Sequence, residues 1–255
     1  MKTNRTTTLD AQEDEYWFPY HYIAQMPTEG FRQHFVDTWG INYISTINFL
    51  LKRITNINPN SLIDIGCGDG RLTREIALNS NVSTLYGIDY SQRAINLASA
   101  MNANLPQVKF MAADITSNHE IPKSDVIILM EVFEHIPIES CKIFIESISK
   151  MLKPRGRLLI TVPHKNKPLE NKHFQHFSIK SLTEYIADYF NIIEVIPFEK
   201  IGLLRKVLNL VLSNRLFVLS NGFILRKCYL FHQRYLFKCR SETECQRLFV
   251  EAEIK

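Results

Sequence analysis

An acid followed by three alternating glycines is the first group in this chain whose residue types and spacing imply chemistry. In Leu62-Ile63-Asp64-Ile65-Gly66-Cys67-Gly68-Asp69-Gly70 an apolar run gives way to a turn and then to a helical pattern. Glycines at alternate positions permit a tight turn and let the backbone approach a ligand closely. The spacing is G-x-G-x-G, not the G-x-G-x-x-G of dinucleotide folds, and Asp64 on the incoming strand would repel a phosphate. No Lys-Ser/Thr pair follows, which excludes a nucleoside-triphosphate loop. A ligand carrying sulfonium and ammonium cations would instead gain from that carboxylate. Two more acids fall at the ends of the next apolar runs. Asp89, beside Tyr90, is placed to accept both hydroxyl protons of a ribose; Asp114, beside Ile115, is in reach of an adenine amino group. Helix capping or loop solvation accounts for any one of these acids alone, but less readily for three at successive strand ends.

A second group follows the fourth and fifth apolar runs. Glu131-Val132-Phe133-Glu134-His135 comes first, then Pro163-His164 and Lys172-His173-Phe174-Gln175-His176-Phe177, so that four of the eight histidines sit in two loops. One reading makes His135 or His176 a general base, with Glu134 and His164 in the same catalytic group. Another assembles Glu131, Glu134, His135 and His176 around a divalent cation, magnesium or similar, that acidifies a hydroxyl. A third takes the glutamates as a solvated first helical turn at a positive helix end, with the histidines used in packing.

The elements that must position these residues alternate. Strands are expected at Ser61–Ile65, Ser83–Ile88, Val108–Ala112, Asp125–Met130, Arg157–Val162, Asn191–Phe198 and Arg247–Ile254. Helices are expected over Gly70–Asn79, from the cap at Ser91 to about Ala103, along the stripe Ile138, Cys141, Ile145, Ile148 and Leu152, and after Ser178. Lys153-Pro154-Arg155-Gly156 reads as the stop of the third helix. Alternating strands and helices predict an α/β fold with a mostly parallel, doubly wound sheet. Residues 1–15 read as a mobile tail and 16–58 as an aromatic-rich cap supplying one wall of the pocket, helical from about Gln33; residues 59–255 form the main domain.

DIGCGDG, GIDYSQRAINLA, AADI and DVIILMEVFEHIP together resemble the successive motifs of class I S-adenosylmethionine-dependent methyltransferases, closely over residues 61–163 and more loosely beyond. The resemblance implies a seven-stranded Rossmann-like sheet in order 3-2-1-4-5-7-6, the last strand antiparallel. It implies that Asp64, Gly66, Cys67 and Gly68 line the methionine end of the cofactor, that Asp89 and Tyr90 lie at the ribose, Asp114 and Ile115 at the adenine, and Glu131 and Val132 beside it. The ExxEH segment resembles the metal-binding segment of ubiquinone-pathway O-methyltransferases and of small-RNA 2′-O-methyltransferases, although HKNKPLENKHFQHF departs from the RNA enzymes' pattern. The expected activity is O-methylation of a hydroxyl on a glycan or small-molecule intermediate, as in the bacterial methyltransferases that the chain as a whole resembles. A hydroxyl is a poor nucleophile at neutral pH and needs a base or a metal. The alternatives are an RNA 2′-O-methyltransferase and a non-catalytic cofactor-binding scaffold.

Composition is that of a globular chain, 45% hydrophobic and 22% charged. The five cysteines form no CxxC pair, which argues against a disulfide framework or zinc ribbon and for a reducing cytoplasm. The net charge of +4 is unevenly spread: residues 200–240 hold nine Lys/Arg (Lys200, Arg205, Lys206, Arg215, Arg226, Lys227, Arg234, Lys238, Arg240) and no acid. This apolar, basic insert before the last strand is expected to roof the site as a helical lid. Peripheral association with an anionic membrane surface and binding of an anionic acceptor compete with that reading. Nucleic acid is the less favoured partner, since the cations gather in one apolar segment and do not line an open groove.

Overall fold

The computed structural model describes residues 38–117, 121–213, 216, 217, 219 and 221–255. The expected tail, most of the aromatic cap (Tyr16 to Phe35) and Arg215 lie outside them. The first described element is the helix α1 (Thr38–Ile57).

Seven strands form one sheet: β1 (Ser61–Ile65), β2 (Thr84–Asp89), β3 (Val108–Ala112), β4 (Ser124–Met130), β5 (Leu152–Pro163), β6 (Phe190–Lys200) and β7 (Cys245–Ile254). Their order is β3-β2-β1-β4-β5-β7-β6, with β1 to β5 paired in parallel and β7 antiparallel to both neighbours. This is the expected topology. The connecting helices are α2 (Arg71–Asn79), α3 (Gln92–Met101), α4 (Cys141–Lys150) and α5 (Ile179–Ile186), and the basic insert folds as α6 (Leu203–Leu212) and α7 (Gly222–Tyr235).

Alternation along the central strands splits the core into two layers. Ile63, Ile127 and Leu129 face one way, onto Phe144, Ile145 and Ile148 of α4 and Leu182 and Ile186 of α5. Leu62, Val126 and Ile128 face the other, onto Ile47, Leu50 and Ile54 of α1 and Leu72 and Ile76 of α2. Strands covered on both faces are apolar at nearly every position, so β1 and β4 read as near-continuous runs, broken in β1 by Asp64. Ser91 caps α3 by accepting from the Ala94 N–H at 3.3 Å, and Ser178 and Ser181 form a reciprocal capping box on α5.

The stripe expected from Ile138 to Leu152 is shorter as a helix. Ile138 belongs to a preceding 3₁₀ turn and is 55% exposed, and Leu152 already begins β5. Lys153-Pro154-Arg155-Gly156 is a bulge inside β5, where pairing to β4 jumps from Leu152 to Arg157 and Arg155 takes φ 62°.

Candidate active site

The glycine loop is tied to the end of β2 on two sides. The N–H groups of Gly66 and Cys67 donate to the Ile88 carbonyl at 2.7 and 3.1 Å, and the Gly68 N–H donates to Asp89 Oδ2 at 2.9 Å. Asp89 Oδ1 accepts from the Ser91 N–H at 2.9 Å. A carboxylate offers about four acceptor positions, more than these two bonds use, so clamping the loop is compatible with holding a ribose. Gly66 has φ 68°, and a Cβ there would lie 2.5 Å from Val132 Cγ2. No other residue fits that turn without displacing Val132.

Asp64 is 1% exposed and accepts from Thr73 Oγ1 at 2.6 Å. Burial pushes its pKa up to about 7 against the Thr73 bond, and neighbouring Asp89 and Asp69 add to the rise. A buried carboxylate among other acids lowers its energy by meeting a cation. Asp69 Oδ2, also buried, has no hydrogen-bond partner among the described residues. Asp114 holds its own turn, accepting from the Thr116 N–H and Oγ1 at 2.9 and 2.7 Å. Asp64, Gly66, Cys67 and Gly68, then Asp89, Tyr90, Asp114, Ile115, Glu131 and Val132, all line one cavity of about 760 Å³. Tyr43 of α1 lines it too, from the expected aromatic cap. A close-approach loop with acids at one end and strand-end acids along its length fits S-adenosylmethionine.

The same cavity continues to Glu134, His135, Lys167, Glu170, Lys172 and His173. Glu134 is 1% exposed, and neither of its carboxylate oxygens has a hydrogen-bond partner among the described residues. Burial first, then the charge of Glu131, drives its pKa well above the usual carboxylate range. The histidine tautomers follow from their partners. Backbone carbonyls only accept, so His135 Nδ1 donates to the Lys172 carbonyl at 2.8 Å and His176 Nδ1 donates to the Lys167 carbonyl at 2.9 Å. His176 Nε2 must then accept from His173 Nδ1, at 2.8 Å. Both His135 and His173 are thereby set with Nε2 as the acceptor nitrogen. Burial, with His135 nearby, takes the His173 pKa down to about 3, which keeps that nitrogen unprotonated at neutral pH.

Glu134, His135 and His173 bring ligand atoms within 4.8 Å of one another. An unpartnered buried carboxylate beside two acceptor nitrogens is a donor set that fits a divalent cation. This differs from the expected group in two members. His176 is spent on orienting His173, so its place is taken by His173. Glu131 is held by Arg247, whose Nε donates to Glu131 Oε2 at 2.7 Å. His164 is also displaced from the expected catalytic group. It lies outside the cavity lining, with Nε2 2.9 Å from Glu242 Oε1 and Nδ1 accepting from the Asn166 N–H at 3.0 Å. Its role is to tie the loop after β5 to the start of β7.

Arg247 is the site residue that sequence reasoning passed over. It pairs with Phe198 and Pro163 in the sheet, and the first turn of antiparallel β7 lies at the ligand ends of the parallel strands. It is buried and bridges Glu131 to Glu199, and Glu199 in turn pairs with Arg205 of α6. Burial opposes ionisation of Glu199, but the two arginines outweigh it and lower its pKa. An arginine set directly before the apolar run Leu248-Phe249-Val250 was the available signal. The expected lid takes a different place: among the described residues none between 201 and 244 lines the cavity. α6 and α7 pack beside α1, where His232 Nδ1 lies 3.2 Å from Ser45 Oγ and Asn48 Nδ2 donates to Tyr229 at 2.8 Å.

A family model described as a methyltransferase domain matches residues 33–195, more than half of the chain. The malonyl-[acyl-carrier protein] O-methyltransferase of Halalkalibacterium halodurans is 31% identical over 116 residues, covering 43% of this chain and 41% of that protein. The ubiquinone biosynthesis O-methyltransferase of Proteus mirabilis is 27% identical over 169 residues, covering 64% of this chain and 66% of that protein. The chain thus spans about two fifths to two thirds of the length of these relatives. Among solved structures, the N-methyltransferase NodS from Bradyrhizobium japonicum WM9, in complex with S-adenosylhomocysteine, superposes with TM-score 0.62 at 15% identity, covering 97% of this chain and 98% of that one. With the glycine loop, the strand-end acids and the strand order in place, the chain belongs to the class I S-adenosylmethionine-dependent methyltransferases.

Proposed function

We propose that the chain is an O-methyltransferase acting on a hydroxyl of a small-molecule or glycan intermediate. The observation that carries this reading is the continuity of one cavity from the glycine loop to the Glu134–His135–His173 group. S-adenosylmethionine, when bound, supplies a methyl group on a sulfonium for in-line displacement. Asp64 and the loop bind its cationic end, and Asp89 and Asp114 fix its adenosine. The acceptor's own binding comes from Lys167, Glu170 and Lys172, and its proton leaves toward His135 Nε2, whose tautomer the Lys172 carbonyl holds. Were a divalent cation held by Glu134, His135 and His173 instead, His135 Nε2 would be a ligand and not the base, and the cation would acidify the hydroxyl.

Once neutral, an amine needs no further help to attack, whereas a neutral hydroxyl stays a poor nucleophile until its proton is drawn off in the transition state. Two histidines set as acceptors beside a buried acid therefore favour oxygen over nitrogen. The sequence relatives named as O-methyltransferases support the same choice. The test is a methyl-transfer screen over hydroxyl and amine acceptors, with and without a chelator, on the natural chain and on His135→Ala and His173→Ala. Turnover on a hydroxyl acceptor should fall at least about a hundredfold in either variant, while S-adenosylhomocysteine affinity stays within about twofold. Transfer only to amines, or unchanged turnover in both variants, contradicts the reading.

A further inference from the structure

A surface helix ordinarily turns its apolar stripe inward and its charges outward. α6 does the reverse. Arg205 points in to Glu199, and Leu208 is its one buried apolar residue, while Leu203 and Leu210 are 75% and 71% exposed with Leu204 and Val207 beside them. α7 repeats the pattern: His232 is buried against α1, while Phe223 is 72% exposed and Ile224 and Leu230 are exposed as well. Cations are interleaved on these faces. Lys206, Arg226, Lys227 and Arg234 are exposed, with Lys227 Nζ 5.3 Å from the Phe223 ring centre. No acid occurs from residue 200 to 240.

Monomeric proteins rarely leave so much apolar surface in water. We propose that the outward faces of α6 and α7 dock in the plane of an anionic lipid bilayer. Two features select this occupant. Leu and Phe side chains flanked by Lys and Arg are the composition of a helix that lies at the headgroup level, apolar side down and cations against anionic lipid. A second copy would meet the same surface across a two-fold axis, bringing basic residues onto basic residues with no acid on either side to answer them. No described helix is long and apolar enough to cross a membrane, so the association is peripheral. Arg205, Glu199 and Arg247 run from α6 to the cavity wall, so a docked bilayer would stand at a fixed place relative to the cavity. The inference does not depend on which acceptor is methylated.

The test is co-sedimentation of the full chain with phosphatidylglycerol vesicles and with phosphatidylcholine vesicles. At low salt the chain should partition onto phosphatidylglycerol at least about tenfold more strongly than onto phosphatidylcholine, and raising salt to about 0.5 M should remove most of the difference. The doubles Leu203→Glu/Leu210→Glu and Arg226→Glu/Lys227→Glu should each weaken partition at least about fivefold, with S-adenosylhomocysteine affinity unchanged as proof of folding. No partition onto phosphatidylglycerol at low salt, or partition that neither double weakens, overturns the proposal. So does a concentration-dependent dimer lost in Leu203→Glu/Leu210→Glu without vesicle binding, which would assign the face to a second copy.

Discussion

Asp64, proposed to hold the cationic end of the cofactor, would also report on its binding. Its carboxyl is buried, with a pKa raised to about 7, and its neighbours Asp69 and Asp89 are acids. Only the ionised form attracts a cation, so below that pH binding must also drive off a proton. The sign is therefore fixed: S-adenosylhomocysteine affinity should rise about tenfold from about pH 6 to about pH 8 and then level off. Calorimetric titration across that range checks it. Asp64→Asn should bind more weakly and show a flat profile. Asp64, Asp89 and Asp114 were legible in the sequence because strand ends and glycine spacing fix where such acids must lie. The histidines were legible only as a group. Which imidazole of His173 and His176 faces the cavity depends on the Lys167 carbonyl, nine residues before His176, and no local pattern encodes that.

At the scale of elements, the run from Glu131 through Arg247 and Glu199 to Arg205 joins the end of β4, the start of β7, the end of β6 and α6. Glu131 and Glu199 both take left-handed backbone conformations, φ 58° and 61°, at the two points where their strands end on this arginine. Removing one partner of a buried ionic group leaves the others without compensation. Arg247→Met should destabilise the chain by about 3–5 kcal/mol in urea unfolding, whereas Arg205→Ala, which leaves Glu199 its bond to Arg247, should cost about 1–2 kcal/mol. Equal losses in the two variants would argue against Arg247 as the centre of the group. The strands were legible from their apolar runs, and their order from the resemblance of the DIGCGDG, GIDYSQRAINLA, AADI and DVIILMEVFEHIP motifs to the methyltransferase family. The ends of α4 and the β5 bulge were not. The stripe from Ile138 to Leu152 keeps helical spacing, but pairing with β4 claims Leu152 for the sheet.

Taken together, the described residues form one sheet whose two covered faces hold the core and whose carboxyl strand ends open onto the cavity of about 760 Å³. The proposed cofactor residues come from the ends of β1 to β4 and the loops after them, and the proposed acceptor-side residues from the 3₁₀ turn after β4 and the loop after β5. The insert lies to one side, tied in by Arg205 and His232. Its position was not legible from sequence, because a helix with exposed leucines and an inward arginine has the same composition as a packed lid. Periodicity locates the stripe but not the partner it faces. In the reading given above, the glycine-loop end of the cavity binds the cofactor through Asp89 and its neighbours. Calorimetric titration of the chain and of Asp89→Ala with S-adenosylhomocysteine tests it most directly. The natural chain should show one saturable site, weakened at least about tenfold in the variant. Absence of binding to the natural chain, or equal affinity in both, would contradict it.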